Sequence, residues 1–224
     1  MPRMKPRITL TFDNGPTAEV TPHVLEVLDR YQIRATFFVL GKNLQSATGK
    51  NLVKLAADKG HWIGNHTFNH DLPFGENPDP LAAETEIGKT QELIDQVTTS
   101  DRLFRPFGNG GELGSHLFSR SVLSYLITHE YTCILWNSIP RDWADPTGWP
   151  EVALRQCGIR EWSLIVLHDY DTGAMDRLEF FIRSALSAGF SFEQEFPPDC
   201  VAIWRGIPSQ DLRPWTAGPA PTYP

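Results

Sequence analysis

The pattern that most constrains this chain is a near-unbroken alternation of short strand-like and longer helix-like stretches. Arg7 to Phe12 (RITLTF) alternates with period two, then breaks at Asp13-Asn14-Gly15-Pro16. Residues 21–31 read as a helix, with Thr21 as N-cap, Pro22 at the first helical position, and Val24, Leu28 and Tyr31 on one face. Ala35 to Leu40 is a buried strand stopped by Gly41, residues 50–59 form a short helix ended by Gly60, and residues 61–64 form the next strand. A long helix opens at Asp79-Pro80 with Ile87, Thr90, Ile94 and Val97 on one stripe, followed by a strand over 102–107 and a helix over 119–130. Strand 131–137, helix 150–157, strand 164–167, helix 175–188 and strands at 190–196 and 201–204 complete the series. From Gly206 the chain carries five prolines, which predict an irregular tail. Strands separated by helices imply a parallel sheet, and the regularity favours a (β/α) barrel over an open sheet, although pattern alone leaves both possible.

At 224 residues the chain has the length of a single α/β barrel, and 41% apolar residues suffice for its core. A net charge of −7 argues against nucleic acid as the main partner, because phosphate contacts need a basic surface. Cys133, Cys157 and Cys200 are odd in number and widely spaced, so they predict neither a disulfide framework nor a cysteine-based zinc site. Met1 to Arg7 is basic but lacks the ~7–15-residue apolar stretch of a signal peptide, and no run approaches the ~18 apolar residues of a membrane span. As written, the chain reads as a cytoplasmic protein that does not enter a membrane; one trimmed of its signal would read the same.

Polar residues of catalytic type stand at the ends of successive strands: Asp13 and Asn14, then His66 and His70, then Arg105, Asp142 and His168. In barrel enzymes the chemistry is assembled from the ends of several strands, and five such positions in phase are hard to reach by chance. Asp, Asn and His supply the oxygen and nitrogen donors that suit a borderline cation such as zinc. His66 and His70 would share one face if a helical turn began there. His23, His61, His116 and His129 have no such context and read as surface or capping residues. Seven tryptophans exceed core needs, which leaves Trp143 and Trp149 as candidates for stacking on a ligand ring.

The ordered segments Thr11-Phe12-Asp13-Asn14-Gly15-Pro16, His66-Thr67-Phe68-Asn69-His70, Arg105-Pro106-Phe107-Gly108, Asp142-Trp143 and Leu167-His168-Asp169 resemble the five motifs of polysaccharide deacetylases, carbohydrate esterase family 4 with its NodB-homology domain. The resemblance runs from about Ile8 to Phe190, and Tyr31 to Gly41 is similar to the family's second strand. It implies an α/β fold, a distorted TIM-like (β/α) barrel of about seven parallel strands. One catalytic domain would span 1–224, with the irregular tail from about 206. It also implies a divalent metal, zinc in most members, and hydrolysis of N-acetyl groups on N-acetylglucosamine-type poly- or oligosaccharides. By position, Asp13 would be the general base, with Arg105 pairing with it and holding it ionised. Asn14, His66 and His70 would hold the metal. Backbone N–H groups near Phe107 or Gly108 would serve the oxyanion. His168, oriented by Asp142, would be the general acid, and Trp143 would wall the acetyl pocket.

Three departures stand out. Asn14 replaces the second of two adjacent aspartates, which removes a negative charge from the metal site. Arg105-Pro106-Phe107-Gly108 is one residue shorter than the usual Arg-Pro-Pro-Tyr-Gly, and Val166 stands where a leucine is usual. Asn14 therefore keeps two other readings open: a metal-free amide or imide hydrolase of the same superfamily, and a silent carbohydrate-binding relative that kept the cleft. Retention of Asp13, Arg105, Asp142 and His168 favours chemistry, since a lectin has no use for an acid–base pair. Sugar length, linkage and oligomeric state are not legible in the sequence.

Overall fold

The computed structural model describes residues 5–99 and 101–218. Nine strands form one curled sheet: β1 (Arg7–Asp13), β2 (Thr36–Val39), β3 (Trp62–Asn65), β4 (Leu103–Phe104), β5 (Thr132–Ile134), β6 (Trp162–His168), β7 (Ser191–Glu193), β8 (Val201–Trp204) and β9 (Ile207–Pro208). Their order is β6-β1-β2-β3-β4-β5-β8-β9. The strands from β1 to β6 run parallel. β7 also pairs parallel with β1, and β8 and β9 close the edge antiparallel. One edge of β1 is taken by β6 along its whole length, while the other is shared between β7 at Arg7–Thr9 and β2 at Thr11–Asp13. Between β5 and β6 the barrel is nearly open, joined by a backbone bridge at Ser138, whose N–H and C=O bond to Leu164 and Val166, and by the Asn137 amide, which donates to Trp162 C=O and accepts from Leu164 N–H. The fold is therefore the expected distorted barrel with seven parallel strands, incomplete on one side.

The period-two alternation sorts each strand between two cores. Ile8, Leu10 and Phe12 of β1, Phe37 and Val39 of β2, and Ile165 and Leu167 of β6 pack outward. They meet α1 (Thr21–Arg30), α2 (Ala47–Asp58), α5 (Trp149–Cys157) and α6 (Leu178–Ser187). Phe38, Leu164 and Val166 face the other way, into a second core shared with α4 (Arg120–Thr128). The parity that sends Ile8, Leu10 and Phe12 outward points Thr9, Thr11 and Asp13 inward; that of β6 does the same for His168. The site's carboxylate and imidazole thus owe their orientation to strand register.

Several local expectations are corrected. Thr21 is not an N-cap: Val20 holds that position without a side-chain cap, and the Thr21 hydroxyl instead donates to Asp169 Oδ2 at 2.6 Å. α2 starts earlier than expected, at Ala47, because Ser46 caps it through the N–H of Gly49. The long helix from Asp79 becomes a π-helical stretch, Ala83–Gly88, continuing into α3 (Lys89–Asp95). β4 is only two residues long: Arg105 N–H makes one further bond to Asn65 C=O, and Pro106 then has no N–H to donate. The tail is not wholly irregular. β9 pairs with β8, Arg213–Trp215 forms a 3₁₀ turn, and Thr216 bridges to Phe118; residues 219–224 lie outside the described part. All three cysteines are free and buried, as expected. No helix among the described residues is long and apolar enough to cross a membrane.

Candidate active site

The C-terminal ends of β1, β3, β4 and β6, with the loop after β5, surround a cavity of about 180 Å³. Asp13, Asn14, His66, His70, Phe107, Gly108, Trp143 and His168 line it. The remaining two sequence candidates, Arg105 and Asp142, are fully buried behind it and reach it through their partners. These ten of the residues singled out from the sequence are brought together; Trp149 is not among them.

Asp13 ends β1 and is 3% exposed. Its Oδ1 accepts from Arg105 Nη1 at 2.9 Å, and its Oδ2 lies 3.6 Å from His66 Nε2. Arg105 is held on every side: Nη1 also donates to Thr11 Oγ1 at 2.6 Å, Nε and Nη2 donate to the carbonyls of Ile134 and Leu135, and the guanidinium lies 4.1 Å over the Phe38 ring. Burial draws its pKa below the usual arginine value, against the pull of Asp13. Thr11, two residues before Asp13 and so on the same face, serves as the bridge.

The histidines converge by a route other than a helical turn. After β3 the backbone turns through left-handed residues, Thr67 at φ +72° and His70 at φ +61°, and the two imidazole centroids end 4.8 Å apart. Asn14 also sits at φ +73°, a conformation that asparagine tolerates better than most residues. Such departures gather at functional sites, where the surroundings must impose them. Here much of that support comes from Glu86, in the π-helical stretch. Its carboxylate accepts from the N–H groups of Phe68 and Asn69 at 2.9 and 2.8 Å and from the Asn69 amide. Asn65 adds a bond to Thr67 N–H, and Thr67 Oγ1 accepts from His70 N–H. Glu86 escaped the sequence reading because, on an amphipathic stretch, it looks like any solvated charge.

The donors suit a cation. His66 Nδ1 bonds to the carbonyl of Arg105 at 2.9 Å, so the proton sits there and the Nε2 lone pair is left toward the site. Burial pushes the pKa of both His66 and His70 down to about 3, so the contact between His66 and Asp13 is not an ion pair. Phe107 packs against His70 with 3.8 Å between centroids and the rings tilted by 39°. Asn14 Oδ1 is buried without a hydrogen-bond partner among the described residues. A buried carbonyl oxygen left unpaired costs about 1–3 kcal/mol, which a ligated cation would recover. Among the described residues no three His, Cys, Asp or Glu side chains form such a group; here the third donor is an amide. Two neutral imidazoles and an orphaned amide oxygen fit a divalent metal, with less charge than a carboxylate would bring.

His168 ends β6. Its Nδ1 bonds to Asp142 Oδ1 at 2.8 Å, and Asp142 Oδ2 accepts its backbone N–H at 2.9 Å. Burial pulls the imidazole pKa down, but the hydrogen bond and charge of Asp142, with Asp13 and Asp169 behind it, prevail, and it lies above the ordinary value. With Nδ1 engaged, Nε2 is the atom free to exchange a proton with a ligand. Trp143 meets this ring edge-on at 4.8 Å. Trp149, the other candidate for sugar stacking, is instead fully buried, its indole N–H bonded to the carbonyl of Ala174.

Asp169 also went unassigned. It is 1% exposed, and burial raises its pKa to about 7. It packs so closely under Gly15 that a Cβ there would stand 2.2 Å from both carboxylate oxygens. Thr17 and Thr21 bond to it, pinning the turn that presents Asn14. Trp136, Ile139 and Tyr170 complete the cavity wall.

Residues 1–131 match the family model described as polysaccharide deacetylase. The chain is 32% identical over 179 residues to a peptidoglycan-N-acetylglucosamine deacetylase of Bacillus cereus, covering 79% of this chain and 78% of the relative. It is 30% identical over 175 residues to a chitooligosaccharide deacetylase of a Bradyrhizobium species, covering 72% and 70%. A solved family 4 acetyl xylan esterase from Clostridium thermocellum, in complex with a cobalt ion, superposes with a TM-score of 0.69 at 25% identity, covering 84% of this chain and 87% of that one. With strand ends, cavity and motif order all in agreement with that match, the chain belongs to the polysaccharide deacetylases, carbohydrate esterase family 4.

Proposed function

We propose that this chain is a metal-dependent hydrolase that removes acetyl groups from N-acetylglucosamine units of a chitin-like or peptidoglycan-like poly- or oligosaccharide, and that residues 1–224 serve as one catalytic domain. The observation that carries this reading is the meeting, in one small cavity, of a carboxylate backed by a buried guanidinium and an imidazole backed by a buried carboxylate. Such a pair separates a base from an acid, the division of labour that amide hydrolysis needs. The named activities of the relatives support the substrate class.

Asn14, His66 and His70 would hold the metal, and zinc suits their donor set. Bound there, a divalent cation would polarise the acetyl carbonyl and acidify a water. Asp13 takes a proton from the attacking water as its oxygen adds to the acetyl carbon; Arg105 fixes Oδ1 and so aims Oδ2 at that water. A backbone N–H near Phe107 or Gly108 would serve the developing oxyanion, where one donor is worth ~2.7–4 kcal/mol of barrier. The C–N bond then breaks as His168 Nε2 hands its proton to the leaving amine, giving acetate and a free amino sugar. Asp142 holds the ring in the tautomer that keeps Nε2 toward the substrate, and Trp143 shapes the space for the methyl group.

Acetate release from N-acetylglucosamine oligomers, with and without added zinc after chelation, tests the reading. Zinc-dependent release that disappears in Asp13→Asn supports it; metal-independent release, or none, overturns it. The amide at position 14 is the specific observation that favours a second reading, a carbohydrate-binding relative, which oligosaccharide affinity with neither zinc uptake nor turnover would establish. Asn14→Asp restores a full charge and should tighten zinc binding in calorimetric titration. Unchanged affinity would place this side chain outside the metal's coordination.

A further inference from the structure

A second, larger cavity of about 670 Å³ opens at the opposite end of the sheet, where β3, β4 and β5 begin. Its wall includes Trp62, Phe196 and Trp204. Trp62 and Trp204 are 37% and 51% exposed, and Trp62 and Phe196 meet at 5.3 Å, forming a short aromatic platform. In barrel folds this face usually carries stability and not chemistry, so exposed indoles there call for an explanation. Tryptophan is enriched among the few residues that carry most of the binding energy at recognition surfaces.

An independent observation in the same wall points to a ligand. His61, expected at the surface, is 4% exposed. Its Nδ1 accepts the backbone N–H of Ala35 at 3.1 Å, so the neutral ring must carry its proton on Nε2. That Nε2–H is buried without a hydrogen-bond partner among the described residues. A buried donor in this state is stabilised by an incoming acceptor. Glu195 and Asp101, also in the wall, supply carboxylates that accept hydroxyl protons, with Asp101 Oδ1 already accepting from Arg205 Nη2 at 3.4 Å. Indole faces for the C–H face of a ring, a lone buried donor, and carboxylates for hydroxyl groups together describe a pyranose.

We propose that this cavity is a second carbohydrate-binding site, which holds an N-acetylated glycan strand away from the catalytic cavity and tethers the protein to polymeric substrate. The identity of the glycan rests on the function proposed above; the site itself does not. Trp62 begins β3 and His66 directly follows its last residue, four residues on and roughly 13 Å away at ~3.3 Å per residue, and the two cavities open at opposite ends. A strand bound below therefore does not obstruct one bound above. Tethering raises the local concentration of substrate without any new catalytic contact, an effect that a polymer feels and a short oligomer does not.

The test uses the whole chain, inactivated by Asp13→Asn, with an N-acetylglucosamine pentamer and with insoluble chitin. We expect the imidazole Nε2–H resonance of His61 to shift on addition of the pentamer. The double variant Trp62→Ala/Trp204→Ala should sediment with chitin at least tenfold more weakly, and Trp62→Phe/Trp204→Phe should regain most of the loss. In the active background, the alanine pair should raise KM on polymer while leaving kcat, and turnover of the dimer, unchanged. Unaltered sedimentation and KM in a variant that melts like the parent would overturn the proposal, as would a silent His61 resonance. Tryptophan-dependent sedimentation by a protein that never releases acetate would sink the deacetylase reading and leave this site standing.

Discussion

Replacing Arg105 by methionine tests the physical logic of the catalytic cavity directly. The side chain is fully buried and makes four hydrogen bonds, to Thr11, Asp13, Ile134 and Leu135. Methionine fills much of the same volume but strands Asp13, which is 3% exposed, without its cation. Breaking a buried pair by removing one partner costs about 3–5 kcal/mol. The two carbonyls add less, because their bonds to Arg105 are long, at 3.3 and 3.4 Å. The decisive measurement is a double-mutant cycle with Asp13→Asn, in which the stranded charge is gone and only imperfect amide pairing remains, worth about 1–3 kcal/mol. Urea denaturation followed by tryptophan fluorescence should therefore find Arg105→Met less stable than Asp13→Asn/Arg105→Met by about 2 kcal/mol. If the double variant is destabilised by the full sum of the two singles, the pair is not what holds this part of the cavity.

Three further perturbations carry definite signs. His168 has a raised folded-state pKa, so the stability it contributes is complete below the ordinary value of 6.5 and is lost as pH climbs through the folded value. Asp142→Asn should move both that loss and the alkaline limb of kcat to lower pH, as followed by NMR titration of the ring and a pH–rate profile. Glu86→Ala removes the acceptor shared by two backbone N–H groups of the histidine loop, and should cost about 1.5–3 kcal/mol in denaturant and weaken zinc affinity about 10–100-fold. Wild-type zinc affinity in that variant would show that the loop's left-handed turns are held by something else. Gly15→Ala drives a methyl into the Asp169 carboxylate and should lower stability by about 1–3 kcal/mol in thermal melts, with partial recovery in Gly15→Ala/Asp169→Ser. No recovery would mean that the clash is not with Asp169.

How much was legible in the chain differs from residue to residue, for physical reasons. The alternation along β1 fixed which of its side chains face inward, so Asp13 could be placed from parity, whereas β6 is apolar on both faces and only its register beside β1 turns His168 inward. Motif order then placed Arg105, Asp142 and the histidines on neighbouring strand ends, because parallel strands joined by helices must all finish at the same face. What the sequence could not carry was everything that depends on distant segments meeting. The histidine loop reads as a helical turn, yet a carboxylate sixteen residues beyond His70, Glu86, holds it in left-handed conformations. His61 looks like a surface residue until the backbone of Ala35 claims one of its nitrogens and the packing around it buries the other. Asp169 looks like a motif's trailing acid until Gly15 is found packed against it. Local periodicity is written in every few residues and survives reading one segment at a time. Burial, tautomer and backbone strain are properties of the neighbours, and only the closed sheet decides who those neighbours are.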